Sequence, residues 1–332
     1  MTTELATSNA AALDRLDLDR VRRAVADSAA ENTRRSYGGA LRRFADWLAV
    51  RGIDLADLDA EGADAAIAAY LADRADQGAA PATVALDFAA IGAAARDSRS
   101  ADPRGPLSRR TLKGVKRQAA REAADGDARG RGQAAAFRWR AVEAAAVLAA
   151  SDGSPAGLRD AALLRLGSDA FLRVSELAAV RVADLAEEAD GSGRLTVRRS
   201  KTDQDAEGAV LFVGSPTMEA VRKWQAVSGV QDGFLFRRLS RAGKLYRDGS
   251  GLASKSIRRI IAARAEAAGV AGRVSGHSLR VGSAQSIVRA GGSTAELMQA
   301  GRWRDARTAT GYARAELAGR GAVARLRYGS GE

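Results

Sequence analysis

Residues 194–214 read RLTVRRSKTDQDAEGAVLFVG, and within them the hydrophobic pattern of the chain changes. Residues 194–200 (RLTVRRS) begin with alternating polar and apolar side chains, and residues 209–214 form a short apolar run. Both patterns are typical of strands. The polar segment 201–208 between them predicts a hairpin connection. This stretch therefore predicts a small antiparallel sheet.

Helical spacing of apolar residues dominates the rest of the chain. Asn32 and Thr33 offer an N-cap, after which apolar residues recur on one helical face from Tyr37 to Leu48. A further helix is expected to start at Pro81, and no strand candidate precedes residue 190. The other predicted helices cover residues 63–77, 108–124, 139–150, 156–166, 174–180, 217–227, 256–268, 277–290, 294–300, 306–314 and 317–327. The predicted fold class is mainly α.

The segment 123–133 (AADGDARGRGQ) is the best candidate for a domain boundary. It contains three glycines and several charges but no large apolar residue, which is the composition of a linker. A chain of 332 residues suggests two domains at about 100–200 residues each. The prediction is a helical domain over residues 1–126 and a mostly helical domain with the small sheet over residues 127–332.

The net charge of +12 arises from 52 basic and 40 acidic residues. Residues 1–126 are balanced, with 19 of each sign, so the whole excess lies in the second half. Within the first half, residues 101–121 nevertheless hold seven basic side chains against one acid. Such clustering is expected for a protein that binds a polyanion, although a solvated basic surface would look the same.

The residue inventory excludes several classes of protein. The chain has no cysteine and one histidine, His277. Disulfide scaffolds, thiol nucleophiles, thiolate metal centres and histidine metal clusters are therefore excluded, and no metal or cofactor is expected. No uncharged apolar stretch reaches about 18 residues, and the start does not resemble a secretory signal. We expect a soluble, cytoplasmic protein.

Four motifs in the second half carry the functional information. They are FLRVSEL (171–177), RRSKTD (198–203), SGHSLRVG (275–282) and GRWRDARTATGYARAE (301–316). Together they resemble the tyrosine recombinase family of phage-type integrases, and the likeness extends over most of residues 130–332. The resemblance implies an N-terminal SAM-like core-binding domain, a C-terminal catalytic domain and an association with the nucleoid. It implies site-specific DNA recombination without metal, through a 3′-phosphotyrosine intermediate and a Holliday junction.

The chemistry of such a reaction explains the residue types. Cutting a phosphodiester without a metal needs a nucleophile, cations that neutralise the pentavalent phosphate and an acid for the departing 5′ oxygen. Attack by a tyrosine conserves the energy of the broken phosphodiester bond in a phosphotyrosine. Arginine donates paired hydrogen bonds to phosphate. Lysine can give up a proton to the leaving group. The resemblance assigns these roles to catalytic residues Arg173, Lys201, His277, Arg280, Trp303 and Tyr312, with Glu176 orienting Arg173.

Each residue also has a simpler interpretation. Arg173 and Glu176 could be an ordinary i, i+3 ion pair, Lys201 an ordinary turn lysine and Trp303 a core aromatic residue. Against this, Lys201 is one of only six lysines among 52 cationic residues. His277 at a helix start would have its charged form disfavoured.

Spacing adds two geometric expectations. His277 and Arg280 are three residues apart at a helix start, so both should project to one face. Trp303 and Tyr312 are nine residues apart, which would point them oppositely on one straight helix. Gly301 and Asp305 therefore suggest a break, with Tyr312 on the following helix.

Two groups of cations are candidate DNA contacts. The residues Lys255, Arg258 and Arg259 open a helix that is expected to enter a major groove, with Lys255 as the candidate base reader. The first domain carries outward-facing arginines on its first strong helix, and a solvated face remains the alternative for them. These arginines are Arg34, Arg35, Arg42 and Arg43.

The expected partner is double-stranded DNA with inverted-repeat arms and a short spacer, bound as a dimer per site and a homo-tetramer on synapsed DNA. A type IB topoisomerase and a catalytically idle DNA-binding protein are the alternatives. The apolar stripe in residues 317–327 argues against the first, because such a helix needs a neighbouring protomer to cover it. The complete set of motif residues argues against the second.

Overall fold

The computed structural model describes residues 31–98, 100–130, 132–198, 208–246, 248–319 and 321–328. The chain forms two compact units, residues 1–132 and 133–332. The division follows Gly132, within the glycine-rich segment predicted as the boundary.

All the regular secondary structure in the described residues of the first unit is helical. Its helices are α1 (Glu31–Val50), α2 (Ala60–Asp76), α3 (Pro81–Asp97) and α4 (Pro106–Ala124), with a 3₁₀ turn at Leu55–Asp57. Asn32 and Thr33 are already helical, so the predicted N-cap at these residues is wrong. The core contains Phe44, Leu48, Ile67, Tyr70, Leu71, Val84, Phe88, Ile91 and Val115.

A buried carboxylate fixes the start of α4. The two Asp64 side-chain oxygens accept the backbone N–H groups of Gly105, Leu107 and Ser108, at 2.8–3.0 Å. Burial alone would raise the pKa of Asp64, but the hydrogen bonds from Ser108, Leu107 and Gly105 lower it overall. An ionised residue on α2 therefore satisfies the free N–H groups of α4.

Asp87 on α3 gathers a second buried network and changes the interpretation of Arg43. Its carboxylate accepts Arg43 at 2.5 Å, Arg74 at 3.3 Å and the Tyr70 hydroxyl at 3.1 Å. Burial and the adjacent Asp87 charge raise the pKa of Tyr70 to about 12. Arg43 thus neutralises a buried charge, which gives it a structural role that the sequence did not predict.

The second unit is mostly helical, as predicted. Its helices are α5 (Trp139–Ala150), α6 (Pro155–Asp169), α7 (Val174–Ala179), α8 (Ser215–Ser228), α9 (Ser254–Ala267), α10 (Ser278–Arg289), α11 (Thr294–Gly301), α12 (Ala306–Tyr312), α13 (Arg314–Ala318) and α14 (Ala322–Tyr328). The main core is built around Trp224, Phe137, Phe236, Leu163, Leu164 and Leu166.

The sheet has three antiparallel strands instead of the predicted two. Strands β2 (Gly193–Val197) and β3 (Ala209–Val213) pair in the register Leu195–Leu211, and β1 (Leu185–Glu187) pairs with β2 on its other side. The prediction that no strand precedes residue 190 is therefore wrong. Three residues carry too little pattern for a strand to be predicted, and pairing with β2 alone defines β1.

Small residues allow α10 to lie close to its neighbours. A Cβ atom on Gly282 would lie 1.9 Å from the carbonyl oxygen of Phe137, so only glycine fits there. The hydroxyls of Ser168 on α6 and Ser283 on α10 lie 3.0 Å apart in the buried contact. This packing holds the first turn of α10, and with it Arg280, inside the unit.

The C-terminal segment differs from the predicted single helix over residues 317–327. The helix is interrupted between α13 and α14, where Gly319 and Gly321 lower helix propensity. Leu317 packs against the chain's own core, whereas Val323 and Leu326 on α14 are 69% and 80% exposed. In the described residues, no helix is long and apolar enough to cross a membrane.

Candidate active site

Arg280 lies at the centre of the candidate site. It projects from the first turn of α10 and is 1% exposed. One guanidinium nitrogen donates to the carbonyl of Phe171, and the other donates to the carbonyl of Gly301 at 2.8 Å. Burial and the nearby charge of Arg173 lower the pKa of Arg280 to about 10, so it remains a cation at neutral pH.

Glu176 anchors Arg173 beside it. The Glu176 carboxylate accepts the Arg173 guanidinium at 2.7 Å and the Arg173 backbone N–H at 2.9 Å, which also caps α7. Burial alone would raise the pKa of Glu176, but the charge of Arg302 and the hydrogen bonds from Arg173 lower it overall. The pair is therefore not an ordinary surface ion pair, because the Glu176 side chain is only 3% exposed.

Trp303 and Tyr312 lie together although they belong to different segments. Their ring centroids are 4.8 Å apart with an interplanar angle of 32°. Trp303 follows α11, and Tyr312 ends α12, which begins after the Asp305 cap. The predicted break between the two residues is confirmed. The Arg280 guanidinium lies 5.1 Å from the Trp303 ring centroid, so the tyrosine, the tryptophan and the arginine form one cluster.

The backbone at this cluster is unusual at two residues. Phe171 and Arg302 are the non-glycine residues with positive φ in the described chain, at 49° and 54°. A side chain in this region costs about 1–2 kcal/mol relative to glycine. The Phe171 carbonyl accepts Arg280, and its ring lies edge-on to Trp303 at 6.1 Å. The strain is located where the predicted catalytic residues converge.

Arg302 is a member of the cluster that the sequence motifs did not indicate. It donates to Glu176 at 2.7 Å, on the carboxylate oxygen that Arg173 does not reach with its side chain. An arginine immediately after a helix ending in glycine was the available signal. This local feature indicates a role for Arg302 only when the fold brings Arg302 into contact with Glu176.

The remaining predicted site residues have different placements. His277 is exposed at the start of α10, whereas Arg280, three residues later, is buried. The adjacent Gly276 lies against Val174, which places His277 near the residue after Arg173. Lys201 lies outside the described residues. The structure therefore brings together Arg173, Glu176, Arg280, Trp303 and Tyr312, with His277 nearby.

The candidate DNA contacts on α9 share an exposed face. Lys255, Arg258 and Arg259 are exposed, whereas Ile257 and Ile261 are buried on the other side of the helix. On α1, Arg34, Arg35 and Arg42 are also exposed. Their contacts with DNA remain predictions.

Helix α4 carries a basic face, which the sequence indicated only as a positively charged segment. At 100° per residue, its six cations fall within an arc of about 140°, opposite buried Val115 and Ala119. All six are exposed. They are Arg109, Arg110, Lys113, Lys116, Arg117 and Arg121.

Comparison with known proteins identifies the family. Residues 138–318 match the model of the phage integrase family, and the chain belongs to that family. The recombinase Cre of Escherichia phage P1 is 30% identical over an alignment of 181 residues, and the alignment covers 51% of this chain and 53% of Cre. The chain thus matches about half the length of this curated relative. The resemblance to the family of phage-type integrases that the sequence motifs predict is confirmed.

Solved structures confirm the fold class. The Tn1549 transposon integrase in complex with circular intermediate DNA matches 92% of this chain and 98% of its own, with a TM-score of 0.59 and 12% identity. The lambda integrase tetramer bound to a Holliday junction matches 89% and 76%, with a TM-score of 0.56 and 19% identity. The XerH recombinase bound to palindromic difH DNA matches 84% and 75%, with a TM-score of 0.57 and 13% identity.

Proposed function

We propose that this chain is a site-specific DNA recombinase that cuts and rejoins DNA through a 3′-phosphotyrosine intermediate and a Holliday junction. The observation that carries the proposal is the cluster in which Tyr312 stacks on Trp303 beside the buried guanidinium of Arg280. A phenol beside fixed cations is the arrangement that attack on a phosphodiester requires. Membership of the phage integrase family supports it.

In the proposed reaction, the Tyr312 oxygen attacks phosphorus and loses its proton, while the bond from phosphorus to the 5′ oxygen breaks. Arg173 and Arg280 neutralise the charge on the non-bridging oxygens, and the Trp303 indole N–H donates to one of them. His277 accepts the proton that Tyr312 loses, and Lys201 donates a proton to the departing 5′ oxygen. A 5′ hydroxyl from another strand reverses the step and releases Tyr312.

The two units have different roles in this proposal. The second unit carries the chemistry, together with α9 as a DNA-contacting helix. The first unit is a helical core-binding domain that contacts double-stranded DNA through α4 and the exposed arginines of α1. Arg43 is expected to contribute mainly to stability, because it is bound to Asp87.

The basic face of α4 gives a prediction about salt dependence. Replacing both Lys116 and Arg117 by alanine should weaken DNA binding and reduce the slope of log K against log salt. The slope should fall by about 0.9 for each phosphate that the double variant no longer neutralises. Fluorescence-anisotropy titrations across a range of salt concentrations measure the slope.

The matched control replaces Arg222 and Lys223, an adjacent exposed pair on α8, by alanine. Their side chains are already bound to Glu187 and Glu219, so the same change in net charge should leave the slope almost unaltered. If both double variants have the same slope of log K against log salt, α4 does not contribute to DNA binding as proposed.

Helix α14 gives a prediction about assembly. Val323 and Leu326 are three residues apart on one face and are exposed in the single chain, so we propose that they dock into a neighbouring protomer. Replacing both by serine should preserve binding to one-arm DNA. The double substitution should abolish cooperative dimerisation on DNA that carries both inverted-repeat arms of a site. It should also abolish the tetramer that forms when two such sites are synapsed. A gel-shift titration with both DNAs measures this effect.

Val50→Ser is the control, because Val50 is 83% exposed and lies in the first unit. Substitution at Val323 and Leu326 is preferable to deletion from Leu317, because Leu317 packs within its own chain. Undiminished cooperativity would contradict the exchange of α14. Relaxation of supercoiled DNA by a monomer without synapsis would favour a type IB topoisomerase instead.

A further inference from the structure

Arg302 occupies a position that favours glycine. It ends α11 in the left-handed conformation, with φ 54° and ψ 47°, and its backbone N–H caps the carbonyls of Gln299 and Met298. Helices commonly end in this conformation, usually on glycine, because a side chain crowds the backbone. The cap itself does not need an arginine. A function of the side chain would account for the residue type.

Two of the three guanidinium nitrogens of Arg302 lack a hydrogen-bond partner among the described residues. The Nη2 atom donates to Glu176 at 2.7 Å and approaches the Phe171 carbonyl at 3.4 Å. The Nε and Nη1 atoms are buried and have no hydrogen-bond partner among the described residues. Buried N–H donors normally have partners, since leaving them unsatisfied is costly. Arg302 therefore holds two unpartnered nitrogens, either of which can donate a hydrogen bond to an anionic oxygen.

The charge around Glu176 leads to the same conclusion. Arg173 and Arg302 both bind its carboxylate, and Arg280 is close enough for both arginines to lower its pKa. Three cations and one anion leave a net charge of +2 in a largely buried cluster. Cations held together away from water repel each other, and a bound anion relieves that repulsion.

We propose that Arg302 is a third phosphate-binding arginine of this site, with Nη2 on Glu176 and with an unpartnered nitrogen of the same guanidinium donating to the scissile phosphate. This inference rests on the proposed function, since the phosphate is that of the cleaved DNA strand. The added cation raises the cluster charge from +1 to +2, which suits a pentavalent intermediate that carries more negative charge than the diester.

The first test uses inorganic phosphate as the probe and needs no catalysis. In isothermal titration calorimetry, Arg302→Gly should bind phosphate about 10- to 100-fold more weakly than the unaltered chain, as expected for loss of a charge-assisted hydrogen bond. Arg302→Lys should lie between them, because it keeps the charge but loses the planar fork. Arg304→Gly removes the same charge from an exposed neighbour and should bind within about twofold of the unaltered chain.

The choice of glycine separates phosphate binding from folding. Glycine suits the left-handed conformation at residue 302, so Arg302→Gly should not strain the backbone. Its melting temperature should fall at most by the amount that corresponds to loss of the ion pair with Glu176. If Arg302→Gly and the unaltered chain bind phosphate equally, Arg302 only caps α11 and pairs with Glu176, and the proposal is overturned.

The second test distinguishes phosphate contact from the positioning of Glu176. On ordinary suicide DNA, Arg302→Gly should form the covalent adduct about 10- to 100-fold more slowly. A methylphosphonate at the cleavage point removes the negative charge, so the defect should shrink on that substrate. An equal defect on both substrates overturns direct contact. If the unaltered chain forms no adduct at all, the proposed function fails, whereas the calorimetry still decides whether Arg302 binds phosphate.

Discussion

Tyr312→Phe is expected to bind DNA normally and to form no covalent adduct on a suicide substrate nicked near the cleavage point. The change removes one oxygen from a ring that stacks on Trp303 and leaves the stacking surface intact. Because the phenol oxygen is the proposed nucleophile, no other group should take over the attack. Denaturing gel electrophoresis with labelled DNA detects the adduct, and a gel shift measures binding.

Tyr246→Phe provides the matched control, since Tyr246 is an exposed tyrosine of the same unit. It should form the adduct at the rate of the unaltered chain. The unaltered chain should also react in EDTA, because the proposed reaction uses no metal. A covalent complex that persists in Tyr312→Phe would assign the nucleophile to another residue.

The second large effect is expected at Lys201, whose role comes from the sequence motif alone. Lys201→Ala should slow cleavage of ordinary DNA by about 10²–10⁴-fold, as is typical for loss of a general acid. A substrate with sulfur at the 5′ bridging position has a better leaving group and should restore much of the rate. Single-turnover adduct formation on both substrates measures the effect.

Lys244→Ala is the control for Lys201, because Lys244 is an exposed lysine of the same unit and lies outside the proposed site. It should cleave both substrates at the rate of the unaltered chain. Equal impairment of Lys201→Ala on the ordinary and the sulfur-containing DNA would exclude Lys201 as the acid that protonates the leaving group.

Local pattern was sufficient to predict most of the secondary structure and the family. Helical periodicity located the main helices. The alternation from residue 194 and the apolar run over 209–214 located the two paired strands, because each signal is contained within a few turns or one strand. The break between Trp303 and Tyr312 was predictable for the same reason, since Asp305 caps the next helix locally. The motifs that contain Arg173, Arg280 and Tyr312 were also recognisable from the sequence, because each motif is a short continuous stretch of the chain.

Only the tertiary structure decided which charges pair across long separations. Arg43 looked like a DNA contact on α1, but folding brings it to Asp87, which is 44 residues away. Arg302 had no assigned role until the fold placed it on Glu176, which is 126 residues away. Leu317 belongs to a segment predicted to need a neighbouring protomer, but in the folded chain it packs against the core of its own unit. A sequence shows which side chains are charged or apolar, but their partners depend on contacts that form only when distant segments pack together.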